Sequence, residues 1–321
     1  MKKNVLVTGA NGFIGRALVA QLAEKRDEAT RGSVRQPGAR LPAGVQPVVV
    51  GDLGADTNWS LALADVDCVI HTAGRAHVLK AEPDAAAAFR KANVEGALAI
   101  ARQAIAAGVR RFIFISSIGV NGARTYGTPF SEAEDPQPHA EYARSKLEAE
   151  VELAALCAGS KMELTIIRPP LVYHWNAPGN FRRLLGILAR GWPLPLGAID
   201  NLRSMVSLTN LVNFIEVCID HPGAANETFV VADGEDVSLP RMISLLTDGM
   251  GRRVPLVPVP AWSLSLAAKV LGKYGMYEQL CGSLQIDITK ARTKLGWQPP
   301  LSAENGLRRA GSDYVKLSGR V

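Results

Sequence analysis

The run "EYARSKLEAE" at positions 141–150 sets a tyrosine and a lysine four residues apart among strong helix formers. Residues at i and i+4 share a helix face, so Tyr142 and Lys146 point the same way. A free phenol titrates near ~10 and moves its proton reluctantly at neutral pH. A neighbouring ammonium favours the ionised form, as would the positive ring of an oxidised nicotinamide. Twenty-five positions before Tyr142, the apolar run "FIFISS" ends in Ser116 and Ser117. A hydroxyl there can hold a carbonyl oxygen while Tyr142 exchanges a proton with it. Ser117, Tyr142 and Lys146 are therefore the expected catalytic group, working on a ketone or alcohol beside a hydride carrier.

A hydride carrier needs a phosphate cradle, and "VLVTGANGFIGRALV" has the form of one. Gly9, Gly12 and Gly15 fall at a bend between a short apolar strand and a helix. Glycine permits the tight turn, close approach of the backbone to a pyrophosphate, and close helix packing. The helix start adds free N–H groups and a positive dipole end. About twenty residues on, an acidic side chain would bind the ribose hydroxyls of NAD. The chain instead reads "TRGSVRQP", with Arg31 and Arg35 and no carboxylate. A guanidinium suits a 2′-phosphate, so NADP(H) is the expected cofactor, with NAD(H) left open.

The elements that must position these groups alternate in type. Apolar runs such as "NVLVTGA", "DCVIHTAG", "RRFIFISS" and "LTIIRPP" are separated by helical stretches. That rhythm predicts an α/β fold with a doubly wound parallel sheet of Rossmann type. Past position 169 loops rich in Pro, Gly and Trp take over, and "ETFVVAD" reads as a late strand rejoining the sheet. The expected division is a dinucleotide-binding domain over 1–168, rejoined by 204–235. A smaller C-terminal substrate lobe follows from 169–203 and 236–321.

The 321 residues carry a net charge of +6, with the cations scattered rather than clustered. A small phosphorylated ligand suits this better than nucleic acid. Cys68, Cys157, Cys218 and Cys281 are widely spaced, which points to reduced thiols in a cytoplasmic protein and to no metal site. The N-terminal apolar run is too short for a secretory signal. "AWSLSLAAKVLG", interrupted by Lys269 and Gly272, is too short for a membrane span and reads as a packed helix.

With these motifs in place, the chain resembles the extended short-chain dehydrogenase/reductase family, which holds nucleotide-sugar epimerases, dehydratases and reductases. The likeness runs through "TGANGFIG", "GDL", "HTAG", "NVEG", the Ser/Tyr/Lys group, "RPP", "RSMVSLTNLV" and "KLGWQP". It implies cofactor contacts from Gly9, Asn11, Gly12, Phe13, Ile14, Gly15 and Arg35. Asp52 and Leu53 would lie beside the adenine, followed by Thr72, Ala73, Gly74 and Pro169, with Tyr142 and Lys146 at the nicotinamide ribose. Asn93 would support a backbone kink and a relay water. Asn180 and Arg203 would meet a substrate diphosphate, and Arg75 and His77 would face the sugar with Ser117. A homodimer paired through the Asn93 and Tyr142 helices is implied as well.

Departures from the family pattern narrow the reaction. The acid–base pair that 4,6-dehydratases carry after the serine is here Ile118-Gly119. Leu171 and Arg35 depart from the epimerase pattern. The phrasing of "LPLGAIDNLRS" and "GSLQIDITKARTKLGW" is similar to bacterial 4-ketoreductases that form UDP-N-acetylquinovosamine for surface polysaccharides such as lipopolysaccharide O-antigen. The expected reaction is NADPH-dependent reduction of a UDP-4-keto-6-deoxy-hexosamine. A UDP-hexose 4-epimerase with bound NAD, and a non-catalytic dinucleotide-sensing module, stay open as alternatives.

Overall fold

Short runs of branched apolar residues give strands that can be covered on both faces. Val5–Thr8, Cys68–His71 and Arg111–Ile115 are buried along their whole length in this way, while Val45–Val49 is a largely exposed edge. The structure, a computed structural model, describes residues 3–25, 30–76 and 84–318. Its strands are β1 (Val5–Thr8), β2 (Thr30–Val34), β3 (Val45–Val49), β4 (Cys68–His71), β5 (Arg111–Ile115), β6 (Glu163–Arg168), β7 (Val172–Tyr173), β8 (Val206–Ser207) and β9 (Glu227–Val230). Seven form one sheet in the order β3-β2-β1-β4-β5-β6-β9, and β7 and β8 form a separate pair. Each neighbouring pair in the large sheet is parallel. The strand order reverses between β1 and β4, which opens a crevice at their C-terminal ends. "ETFVVAD" does rejoin the sheet, as β9 beside β6.

Side chains alternate between the two faces along each strand. On one face Val5, Val7, Ile70, Ile113 and Ile167 pack under helices Phe13–Lys25 and Leu208–Asp220. On the other, Leu6, Val69, Phe112, Phe114 and Ile166 pack under helices Gly96–Ala106 and Glu141–Ala158. A third cluster gathers Tyr173, Phe181, Leu185, Met205, Ile243, Leu246 and Leu307 away from the sheet. Not all of the C-terminal third joins it, because Ile288, Ala291, Leu295 and Trp297 pack on the sheet side.

One expectation is corrected here. "AWSLSLAAKVLG" forms the helix Ala261–Val270, yet none of its residues is buried. Ala261 and Leu264 lean on the third cluster, which leaves Trp262, Leu266 and Val270 exposed on the far side.

A buried ion pair ties the second face to the sheet. Arg168, at the end of β6, donates to both carboxylate oxygens of Glu150 on helix Glu141–Ala158, at 3.0 and 2.6 Å. Its Nη1 also donates to Asn121 Oδ1 at 3.0 Å. Both charged side chains are at most 8% exposed. Removing one partner of such a pair leaves an uncompensated buried charge. Glu150→Ala is expected to cost roughly 3–5 kcal/mol of stability, read from urea unfolding. A loss under about 1 kcal/mol would show the pair to be structurally idle.

Candidate active site

The glycine bend lies in the crevice between β1 and β4. Gly9 takes a φ of 64°, a left-handed conformation that side chains disfavour. A Cβ on Gly9 would come within 2.9 Å of Ala73 Cα, and one on Gly15 within 2.2 Å of the Gly9 oxygen. Bare backbone is thus what lets the loop, the following helix and the end of β4 meet. The helix beginning at Phe13 has first-turn N–H groups with no carbonyl to bond within it. A cleft of about 490 Å³ opens here, walled by Gly9, Asn11 and Gly12 on one side and by Thr72, Ala73 and Gly74 on the other. A dinucleotide fits this floor, since an anionic diphosphate needs bare backbone and free N–H groups. The side chains of Phe13 and Ile14 pack against the hydrophobic core.

Arg35, Asp52 and Leu53 line the same cleft. Arg35 Nε sits 3.2 Å from Asp52 Oδ1, with both side chains largely exposed. Such a pair contributes little by itself and is free to exchange for another anion. Arg31 goes elsewhere: it donates to Gln46 and to the Ala64 carbonyl on the sheet's flank. Ser33 and Lys91 also line the cleft and were not anticipated. Ser33 anchors the bend, its Oγ accepting from Gly9 N and its carbonyl from Ala10 N. The signal for Ser33 was its position two residues before Arg35. Lys91 sits two residues before Asn93, a lysine that a search limited to the "NVEG" run passes over.

Asn93 occupies a π-helical turn, Lys91–Glu95, set between helices Ala85–Arg90 and Gly96–Ala106. Fully buried, it accepts from Arg75 N at 2.8 Å and donates to Arg75 O and to Ser145 Oγ, each at 3.0 Å. One amide thereby couples the loop after β4 to the helix carrying Tyr142. The π-helical distortion stands at the expected kink, and three of the amide's four hydrogen-bonding positions go to protein groups. Arg75 lines the dinucleotide cleft. His77 lies outside the described residues.

Ser117 follows the end of β5, and its Oγ accepts from Gly119 N at 3.1 Å. The hydroxyl proton stays available for another acceptor. Tyr142 hydrogen-bonds with Ser117, so the two residues expected to act together do meet. Lys146 Nζ donates to Ile115 O at 2.8 Å and lies 4.5 Å from the Phe114 ring centroid. A Cβ on Gly74 would stand 3.5 Å from this ammonium, so Lys146 borders the cleft wall. Pro169 is buried nearby and its carbonyl accepts from Ile118 N.

The electrostatics correct one expectation. Among the protein's own groups the Tyr142 phenol is not acidified. Burial pushes it up to about 12, opposed only by the Ser117 hydrogen bond. Burial also brings Lys146 down to about 8, against the pull of Glu150. The tyrosine is therefore protonated at neutral pH. Beneath Lys146, His71 is brought down to about 3 by burial and then by the ammonium. Thr8 Oγ1 accepts from Ala73 N and shares a second hydrogen bond with Nδ1 of the neutral His71, 2.9 Å away.

The later segments contribute less directly. Asn180 is exposed at the start of helix Asn180–Leu188, and its neighbour Phe181 is buried in the third cluster. Arg203 is half-buried and donates to Gly282 O at 2.8 Å. A second cavity of about 450 Å³ is walled by the segment after Ser117, including Arg124, Tyr126 and His139. These three were not anticipated, because that loop carries no spacing pattern to mark it. No cluster able to hold a metal ion occurs among the described residues.

Known proteins share this arrangement. Over 325 residues the chain is 41% identical to a Vibrio cholerae protein named UDP-glucose 4-epimerase, covering 100% of this chain and 98% of the relative. It is 27% identical to the N-acetyl-alpha-D-glucosaminyl-diphospho-ditrans,octacis-undecaprenol 4-epimerase of Escherichia coli O157:H7, covering 96% and 94%. The crystal structure of a Thermotoga maritima UDP-glucose 4-epimerase with UDP-glucose superposes with a TM-score of 0.77. That match covers 98% and 99% of the two chains at 23% identity, a likeness of fold. Residues 5–232 match the NAD dependent epimerase/dehydratase family. With its crevice, glycine bend and Ser/Tyr/Lys group, the chain belongs to that family of nicotinamide-dependent enzymes.

Proposed function

We propose that the protein is an NADPH-dependent 4-ketoreductase acting on a UDP-4-keto-6-deoxy-hexosamine, forming a sugar of the UDP-N-acetylquinovosamine type for a surface polysaccharide. The observation that carries this reading is the Tyr142 phenol, held protonated beside Ser117, with Lys146 one turn on standing against Gly74 in the wall of the cleft that Arg35 also lines. A protonated phenol is the form that reduction consumes, since a ketone turning into an alcohol must take up a proton. Bound NADPH would supply the hydride to the C4 carbonyl carbon. Ser117, its lone pair engaged by Gly119 N–H, donates to the carbonyl oxygen and holds it. Tyr142 passes its proton to that oxygen as the C=O bond becomes C–O–H. Lys146 stabilises the resulting phenolate until it takes a proton from solvent. Arg35 releases Asp52 to bind the 2′-phosphate. Gly9, Asn11, Gly12 and the first helical turn, which starts at Phe13, would hold the diphosphate, while Asn180 and Arg203 would face the nucleotide of the sugar.

Loss of water from the sugar is disfavoured by Ile118-Gly119, which offer no acid–base pair after Ser117. The second reading is a UDP-hexose 4-epimerase, favoured by the Vibrio cholerae relative. It would use the same three residues but return the hydride to the sugar. We also infer two copies pairing through the helices that follow Asn93 and contain Tyr142, supported by Val151, 61% exposed on the latter. A solution mass equal to that of one chain would reject the pairing.

The test supplies purified protein with NADPH and a UDP-4-keto-6-deoxy-hexosamine. One NADPH consumed per sugar reduced is expected. Redox-neutral interconversion of UDP-hexoses without net cofactor use would instead establish the epimerase. Tyr142→Phe should lower turnover by about 10²–10⁴ while leaving NADPH affinity intact. Equal turnover in that variant would point to a dinucleotide-sensing module. Arg35→Asp should weaken NADPH much more than NADH, and an unchanged preference would reject the cofactor assignment.

A further inference from the structure

The helix Ala261–Val270 presents its apolar side chains to water. Trp262 is 72% exposed, Leu266 56% and Val270 79%, with Leu271 at 68% just beyond. Residues 262, 266 and 270 recur every four positions and so share one face. Ala261 and Leu264, on the other side, make the helix's contact with the third cluster. A stripe of a tryptophan and two aliphatic side chains, with Leu271 just past its end, is left mostly exposed by the lobe's own packing, and exposed patches of this kind mark contact surfaces.

The charge around the stripe says which surface it meets. The 29 residues from Gly249 to Tyr277 contain Arg252, Arg253, Lys269 and Lys273, and no aspartate or glutamate. All four cations are exposed. Pairing two copies of this chain through the stripe would oppose cations with cations, which is unfavourable. An anionic lipid surface matches both properties: the indole and aliphatic groups enter the headgroup boundary while the ammonium groups stay with the phosphates.

We propose that this helix docks the C-terminal lobe on an anionic membrane surface. Docking is peripheral, since no helix among the described residues is long and apolar enough to cross a bilayer. The surface also lies one helix away from the second cavity. The next helix, Tyr274–Cys281, carries Glu278, whose carboxylate meets Arg124 at 3.1 Å on the wall of the second cavity.

Cosedimentation of the full-length protein with vesicles tests the proposal. Vesicles of phosphatidylglycerol mixed with phosphatidylcholine should retain the protein, and pure phosphatidylcholine should not. Leu266→Asp combined with Val270→Asp should cut binding to the anionic vesicles by about tenfold or more. Lys269→Glu combined with Lys273→Glu should do the same and remove the salt sensitivity. These side chains are exposed, so thermal unfolding should be unchanged and report intact folding. No binding to anionic vesicles, or equal binding by wild type and variants, would overturn the proposal. A wild type that ignores vesicles but loses solution mass on the Leu266/Val270 substitutions would show an interface between copies instead. The readout uses neither cofactor nor sugar, so it stands or falls apart from the assigned reaction.

Discussion

The guanidinium of Arg168 holds three parts of the molecule in one geometry. It closes β6, grips Glu150 on the helix that carries Tyr142, and reaches Asn121 in the turn after Ser117. A buried cation of this kind tolerates little displacement, because any lost contact strands a charge in a poorly polarisable interior. Tyr142 and Ser117 lie at the ends of separate elements, and their meeting requires those elements to keep a fixed relation. Asn93 does the same on the cofactor side, joining the loop after β4 to Ser145 one turn from Tyr142. Two buried polar hubs thus frame one shallow site.

That framing explains the protonation pattern. The phenol and the ammonium are each removed from water, and burial works against charge on both. Lys146 spends one N–H on the Ile115 carbonyl and rests against Phe114, so it serves the phenol less directly than sequence spacing suggests. Spacing predicts a shared helix face. It says nothing of the low-dielectric surroundings that set the balance between attraction and desolvation.

Much of the architecture was legible because it rests on local rules. Branched apolar runs became parallel strands, and Gly9 and Gly15 occupy places where a Cβ would strike backbone. Ser117 and Tyr142 were legible as a pair because the strand end and the helix start each carry a recognisable pattern. Less legible was anything decided by distant packing. The helix Ala261–Val270 has a composition fit for a core, yet whether a core exists beside it depends on elements far along the chain. Arg31 and Arg35 look equivalent in sequence, but Arg31 lies within β2 and bonds on the sheet's flank, whereas Arg35 lies just past the strand's end, at the cleft. Arg124, Tyr126 and His139 sit on a loop whose shape is set by contacts with the segment near Ser283 and Gln285.

The late arrival of β9 has a bearing on how the chain reaches this state. β6 ends at Arg168, while its outer neighbour begins at Glu227. As the polypeptide leaves the ribosome, the amide and carbonyl groups along that side of β6 wait for a strand still to be translated. An uncovered edge of this sort readily pairs with foreign strands. Nascent chains halted between these two points carry that edge of β6 uncovered.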